Sequence, residues 1–232
     1  PIKGTPYQQR GFTMVRKFIV ESVSYWVKEY HIDGFRFDLM GIHDIETMNA
    51  ISESLYKINP NILLYGEGWL ASNSPLPKEQ RSTKANISKI LKVSAFSDEL
   101  RDGLKGSVFE KESQGFVSGA KDEETSIQFG IVGAIEHPQI DLEKVNYSNK
   151  AWAKEPWQSV SYVSCHDNHT AFDKLKLSNP NASKKDIIAM QKLTNAIVLT
   201  SQGISFLHAG SDFLRTKHGI ENSYKSPDSI NQ

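Results

Sequence analysis

Helical segments alternate with short apolar runs along this chain, and that alternation constrains its fold more than any other feature. Residues 11–30 carry Val15, Phe18, Ile19, Val23, Trp26, Val27 and Tyr30 at helical spacing, which predicts a helix with one apolar face. Residues 32–39 read as a strand. A second helix is expected near 44–58, from Ile45, Met48, Ile51, Leu55 and Ile58, and Asn59-Pro60-Asn61 ends it. Residues 62–66 read as a buried strand, 70–90 as a polar loop holding at most a short helix, and 93–97 as a weaker strand. A long irregular stretch then leads to a helix near 123–135, followed by a strand over 159–165. Ser183 with Asp186 is a capping signature for a helix running to Thr200. Gly203 stops that helix, and 204–207 is the last strand.

Strands separated by helical segments predict a parallel sheet with helices on its faces. A doubly wound sheet and a barrel both satisfy the pattern. No G-x-G-x-x-G turn follows a strand, which removes the main support for a dinucleotide-binding sheet. Polar and charged residues end at least three of the strands instead, and in a barrel those ends share one face. A complete (β/α)8 barrel takes about 250 residues. This chain has 232 residues and five expected strands, so the expectation is an α/β fold, and if it is a barrel it is three strands short of a complete one.

The charges balance, with 27 Lys+Arg against 27 Asp+Glu, which disfavours a nucleic-acid partner and suits a neutral substrate such as a sugar. No apolar run approaches the ~20 residues of a membrane span, and no membrane partner is expected. One cysteine, Cys165, excludes an internal disulfide. The first residue is Pro1 and no signal peptide is visible, which leaves the compartment open.

Three segments carry chemistry. In Gly34-Phe35-Arg36-Phe37-Asp38, strand alternation points Arg36 and Asp38 to one side and the two phenylalanines to the other. An arginine beside an aspartate favours its ionised form, as a nucleophile requires, although the pair could also be structural. In Tyr65-Gly66-Glu67-Gly68-Trp69, a glutamate leaves an apolar strand between two glycines. Apolar surroundings would raise its pKa toward that of a general acid, unless it is a plain loop residue. In Val163-Ser164-Cys165-His166-Asp167-Asn168, a strand ends in polar groups, of which Asp167 or Asn168 could simply cap the next helix. His166, Asp167 and His169 lack metal-ligand spacing, so no metal is expected. A Cys165–His166 nucleophile pair is disfavoured, because neighbours on a strand face opposite ways.

Together these segments resemble three of the four signature regions of the α-amylase superfamily, in the order of barrel strands four, five and seven. Finer matches are to type I pullulanases. They comprise Leu39-Met40-Gly41-Ile42-His43-Asp44, Arg101-Asp102-Gly103-Leu104-Lys105-Gly106-Ser107-Val108-Phe109, Phe206-Leu207-His208-Ala209-Gly210 and residues 222–232. The resemblance implies that residues 1–232 form strands four to eight of a catalytic barrel, without strands one to three or the β domain that usually follows. It implies Asp38 as nucleophile, Glu67 as general acid/base and Asp167 as the third working carboxylate. Arg36, His166, Met40, Trp69, Asn168 and Tyr224 are implied as substrate-binding residues. The implied reaction is retaining hydrolysis of α-1,6 bonds in an α-glucan, with no cofactor and no indicated calcium site.

Two departures from that pattern stand out. The superfamily's strand-three region has no counterpart, and Ser211 and Asp212 stand where many pullulanases have two glutamates. The chain by itself is therefore expected to be inactive, and its open sheet edges to favour self-association. An α-1,4-acting hydrolase or transferase, a non-catalytic glucan-binding protein and a phosphate-binding barrel are the alternatives. The last lacks a glycine-rich loop near strands seven and eight.

Overall fold

A computed structural model describes residues 6–71 and 73–231, with side chains from residue 13 onward. Gln232, the end of the terminal motif, lies outside the described residues. The fold is an α/β partial barrel whose five described strands are ordered as in the chain, β1-β2-β3-β4-β5. The chain forms two compact units, Pro1–Ala95 and Phe96–Gln232.

The first unit contains α1 (Pro6–Tyr30), β1 (Gly34–Phe37), α2 (Ile45–Ile58), β2 (Leu63–Gly66) and most of β3 (Ser94–Phe96). β1 and β2 pair in parallel, with Gly34 opposite Leu63 and Phe37 opposite Gly66, and Tyr65 pairs with Ser94 of β3. Asp44 caps α2 by accepting from Thr47 N at 2.6 Å, and Asn59 closes its other end. Arg16 of α1 donates to Asp44 and to Thr47 Oγ1, both at 3.0 Å, so the cap of α2 also fastens α1. Met48, Ile51 and Leu55 bury the inner side of α2, and Ile62 and Leu64 are buried on and just before β2. On the apolar face expected for α1, Val23 and Val27 are buried. Val15, Phe18, Trp26 and Tyr30 are exposed, Phe18 at 72%.

The second unit starts at the end of β3. It adds α3 (Asp98–Lys105), α4 (Glu124–Ile131), β4 (Ser159–Ser161), α5 (Ala171–Ser178), α6 (Lys184–Thr200), β5 (Ile204–Ser205) and the short α7 (Asp228–Asn231). β4 and β5 pair in parallel, with Val160 opposite Ile204. Ser183 caps α6 by accepting from Asp186 N at 3.2 Å, as the capping signature predicts. Leu100 and Leu104 of α3, Ile127, Val163, Leu175, Ile187 and Val198 form one buried cluster. α3 falls in a stretch that reads as irregular from the sequence. Ser97 caps it, and Gly106, at a φ of 89°, ends it against Ser113.

One expectation is corrected here and one open alternative is resolved. The paired strands are shorter than the apolar runs, and in all but β2, which ends with its run at Gly66, the chain leaves the ladder before the run ends. After β1, for example, Leu39 turns left-handed with a φ of 46°. The cap of α5 is Thr170, accepting from Asp173 N, and neither Asp167 nor Asn168.

Candidate active site

Asp38 and Glu67 follow the carboxyl ends of β1 and β2, two strands in register. Arg36 of β1 forms ion pairs with both carboxylates. It pairs with Asp38, and its Nη2 donates to Glu67 Oε1 at 2.7 Å. The other Glu67 oxygen accepts the backbone N–H of Leu39 at 2.6 Å. A leucine adopts the left-handed conformation only where its surroundings impose it. Here that turn aims the N–H back at Glu67. Glu67 is 5% exposed, while the Asp38 side chain is 65% exposed. The apolar surroundings expected for Glu67 are therefore corrected. The residue is buried, but a guanidinium and an amide meet its oxygens. Arg36 is shared by the two carboxylates rather than dedicated to Asp38.

Glycines allow the close packing of these strand ends. A Cβ on Gly66 would stand 2.7 Å from the Phe37 carbonyl oxygen, and one on Gly41 only 2.2 Å from that of Trp69. Backbone fills the space each glycine leaves, with the Met40 side chain beside it at Gly66. Met40, implied as a sugar contact, is fully buried, with its side chain against Gly66. It packs the strand ends and offers no surface to a ligand. Trp69 is half-buried.

In the second unit, His166 and Asp167 are exposed beyond the end of β4, with His166 Nε2 3.6 Å from Asp167 Oδ2. Cys165 Sγ lies 3.1 Å from His166 Nδ1. The two were expected to face apart, but they lie past the strand, where alternation no longer applies. Asn168, at a φ of 60°, completes the turn. Tyr224 is exposed, with Lys225 Nζ 5.4 Å from its ring centre.

A buried charge network stands behind this turn, and the sequence does not reveal it. Asp102 accepts from Arg101 Nε at 2.5 Å and from Tyr147 OH at 2.6 Å, and Arg101 Nη1 donates to Tyr162 OH at 2.9 Å. Lys105 is buried, and burial, with Arg101 nearby, lowers its pKa to about 7. His208 Nε2 meets Arg215 Nη1 at 3.1 Å, and burial, with Arg215 and Lys217, pushes His208 down to about 4. The RDGLKG motif holds Arg101, Asp102 and Lys105, but a motif match does not say that three charges are buried together. No group of three or more His, Cys, Asp or Glu able to hold a metal occurs among the described residues. Among them, too, no helix is long and apolar enough to cross a membrane.

The fold is a partial (β/α)8 barrel, and Asp38 and Glu67 follow two of its strand ends. No family model matches the chain. Its homologues are pullulanases, which are glycoside hydrolases. The pullulanase of Bacillus subtilis (strain 168) is 42% identical over 222 residues, covering 94% of this chain and 29% of that protein. The pullulanase of Klebsiella pneumoniae is 31% identical over 251 residues, 94% of this chain and 23% of that protein. The crystal structure of Paenibacillus barengoltzii pullulanase in complex with maltohexaose and α-cyclodextrin matches with a TM-score of 0.87 and 50% identity. That match covers 94% of this chain and 32% of the crystallised one. The chain thus spans about a third or less of the relatives it matches.

Proposed function

We propose that this chain is the reaction-centre segment of a debranching enzyme, and that an enzyme containing it hydrolyses α-1,6-glucosidic bonds with retention. Its substrates would be pullulan, glycogen or branched dextrins. The observation that carries the reading is the pair Asp38 and Glu67 on neighbouring strands, joined by Arg36. Neighbouring strands run ~4.8 Å apart, close to the ~5–5.5 Å carboxyl separation of retaining glycosidases. Inverting enzymes need a wider gap, because a water molecule must enter between the carboxylates.

In this reading Glu67 starts the cycle protonated, Asp38 attacks the anomeric carbon, and Glu67 gives its proton to the departing glycosidic oxygen. Glu67 then takes a proton from the water that releases the sugar from Asp38. Arg36 and the Leu39 N–H fix Glu67, which exchanges one of those contacts for the leaving oxygen when it acts. Asp167 and His166 hold sugar hydroxyls, and Trp69, Asn168 and Tyr224 supply further contacts. No step calls for a cofactor. The pullulanase homologues favour the α-1,6 linkage over an α-1,4 one.

The test replaces the corresponding segment of the Bacillus subtilis pullulanase with this chain and compares two substrates. General acid catalysis is worth ~10²–10⁴-fold, so Glu67→Gln should cut pullulan hydrolysis by about that factor. It should spare α-glucosyl fluoride, whose leaving group needs little protonation. Equal loss on both substrates removes Glu67 from the role of acid. Asp38→Asn should abolish both reactions. The 232-residue chain alone should leave pullulan intact.

A further inference from the structure

The segment after β5 folds back onto the turn that carries Asp167, through buried polar contacts. Lys217 is 2% exposed. Its Nζ donates to the Asn168 carbonyl at 2.6 Å and to the Glu221 carbonyl at 2.7 Å. Its backbone N–H donates to Asp173 Oδ2 at 2.6 Å, and Thr216 Oγ1 donates to Asp173 Oδ1 at 2.5 Å. Asp173 is itself buried, on the first turn of α5, directly after the turn in question. His169, on the same turn, is also buried.

One ammonium therefore holds two carbonyls from different parts of the chain. Asn168 adjoins Asp167 and sits left-handed, a conformation that a bond to its carbonyl helps to fix. Glu221 lies three residues before Tyr224. Charge-assisted bonds to buried carbonyls are among the stronger polar contacts, and removing the donor leaves both oxygens unsatisfied.

We infer that Lys217 is a positioning residue, a joint that sets the Asp167 turn and the Tyr224 segment in one fixed arrangement. It touches no sugar. The inference deepens the proposed function, since it rests on reading Asp167 and Tyr224 as sugar contacts. A lysine that merely stabilised the fold would affect melting but would not tie the two segments together.

The experiment uses the labelled 232-residue chain and follows the backbone NMR signals of residues 167–168 and 221–224. Lys217→Met keeps the length of the side chain and removes its donors. Both sets of signals should shift together, while those of β4 and α6 stay in place. Maltotriose affinity should fall about tenfold, the equivalent of losing one charge-assisted bond. A folded Lys217→Met chain with either set unmoved overturns the joint. Should that variant not fold, Thr216→Val, which removes the bond to Asp173 and the one accepted from the His218 N–H beside the same clamp, is read in the same way. Failure of the unsubstituted chain to bind maltotriose would count against the glucan reading of Asp167, while the paired shifts would still decide the role of Lys217.

Discussion

Lys105 is placed where an amine is costly to charge. Its pKa of about 7 lies well below the usual lysine value, so between about 10.5 and 7 the unfolded chain takes up the proton first. Stability contributed at this site is therefore present at high pH and lost as pH falls toward 7. Lys105→Met should raise the unfolding midpoint in urea at about pH 7, and less so at about pH 9.5. An equal gain at both would mean that the buried charge is not the cause. His208 behaves alike in a lower window. Its pKa of about 4 makes the fold lose stability as pH drops from about 6.5 to 4, and His208→Gln should flatten that part of the acid-unfolding curve. At this scale strand alternation makes the Arg36–Asp38 pair legible in the sequence. The surroundings of Glu67 are not legible, because its second donor comes from a left-handed leucine that no periodicity announces.

Elements are legible where their amphipathic pattern is clean. α2 follows the apolar spacing read for it, and α6 the capping signature at Ser183. Ser183→Ala should lower stability by about 1 kcal/mol, read from the shift in urea midpoint at constant slope. A change confined to slope would mean that the unfolded state moved instead. α3 escapes detection for the opposite reason. Four of its five charged residues, Glu99, Arg101, Asp102 and Lys105, are buried, so a rule that sends charges to water finds no face. Their hydrogen-bond partners include Tyr147 and Tyr162, 45 and 61 residues away in sequence. Several residues before α5 can cap a helix, Asp167 and Asn168 among them, and only the fold chooses Thr170.

For the whole molecule, the chain-order strands and the partial barrel follow from the alternation of segments, since parallel neighbours require helical crossovers. The sequence does not show which apolar face the fold leaves uncovered. Val15, Phe18, Trp26 and Tyr30 of α1 are exposed together, and β1 and β5 lie at the two ends of the strand order. We propose that the chain by itself self-associates. Sedimentation velocity should show species larger than the monomer, and Phe18→Glu should shift the population toward it. Association unaltered by Phe18→Glu would point to the strand edges, and a monodisperse monomer would contradict the proposal. The central claim, retaining hydrolysis of α-1,6 bonds through Asp38 and Glu67, is met most directly by proton NMR of a fresh pullulan digest. The enzyme is the Bacillus subtilis pullulanase carrying this segment. The account predicts maltotriose, released first as the α-anomer. Panose as the main product would contradict the linkage, and an initial β-anomer would contradict the roles given to the two carboxylates.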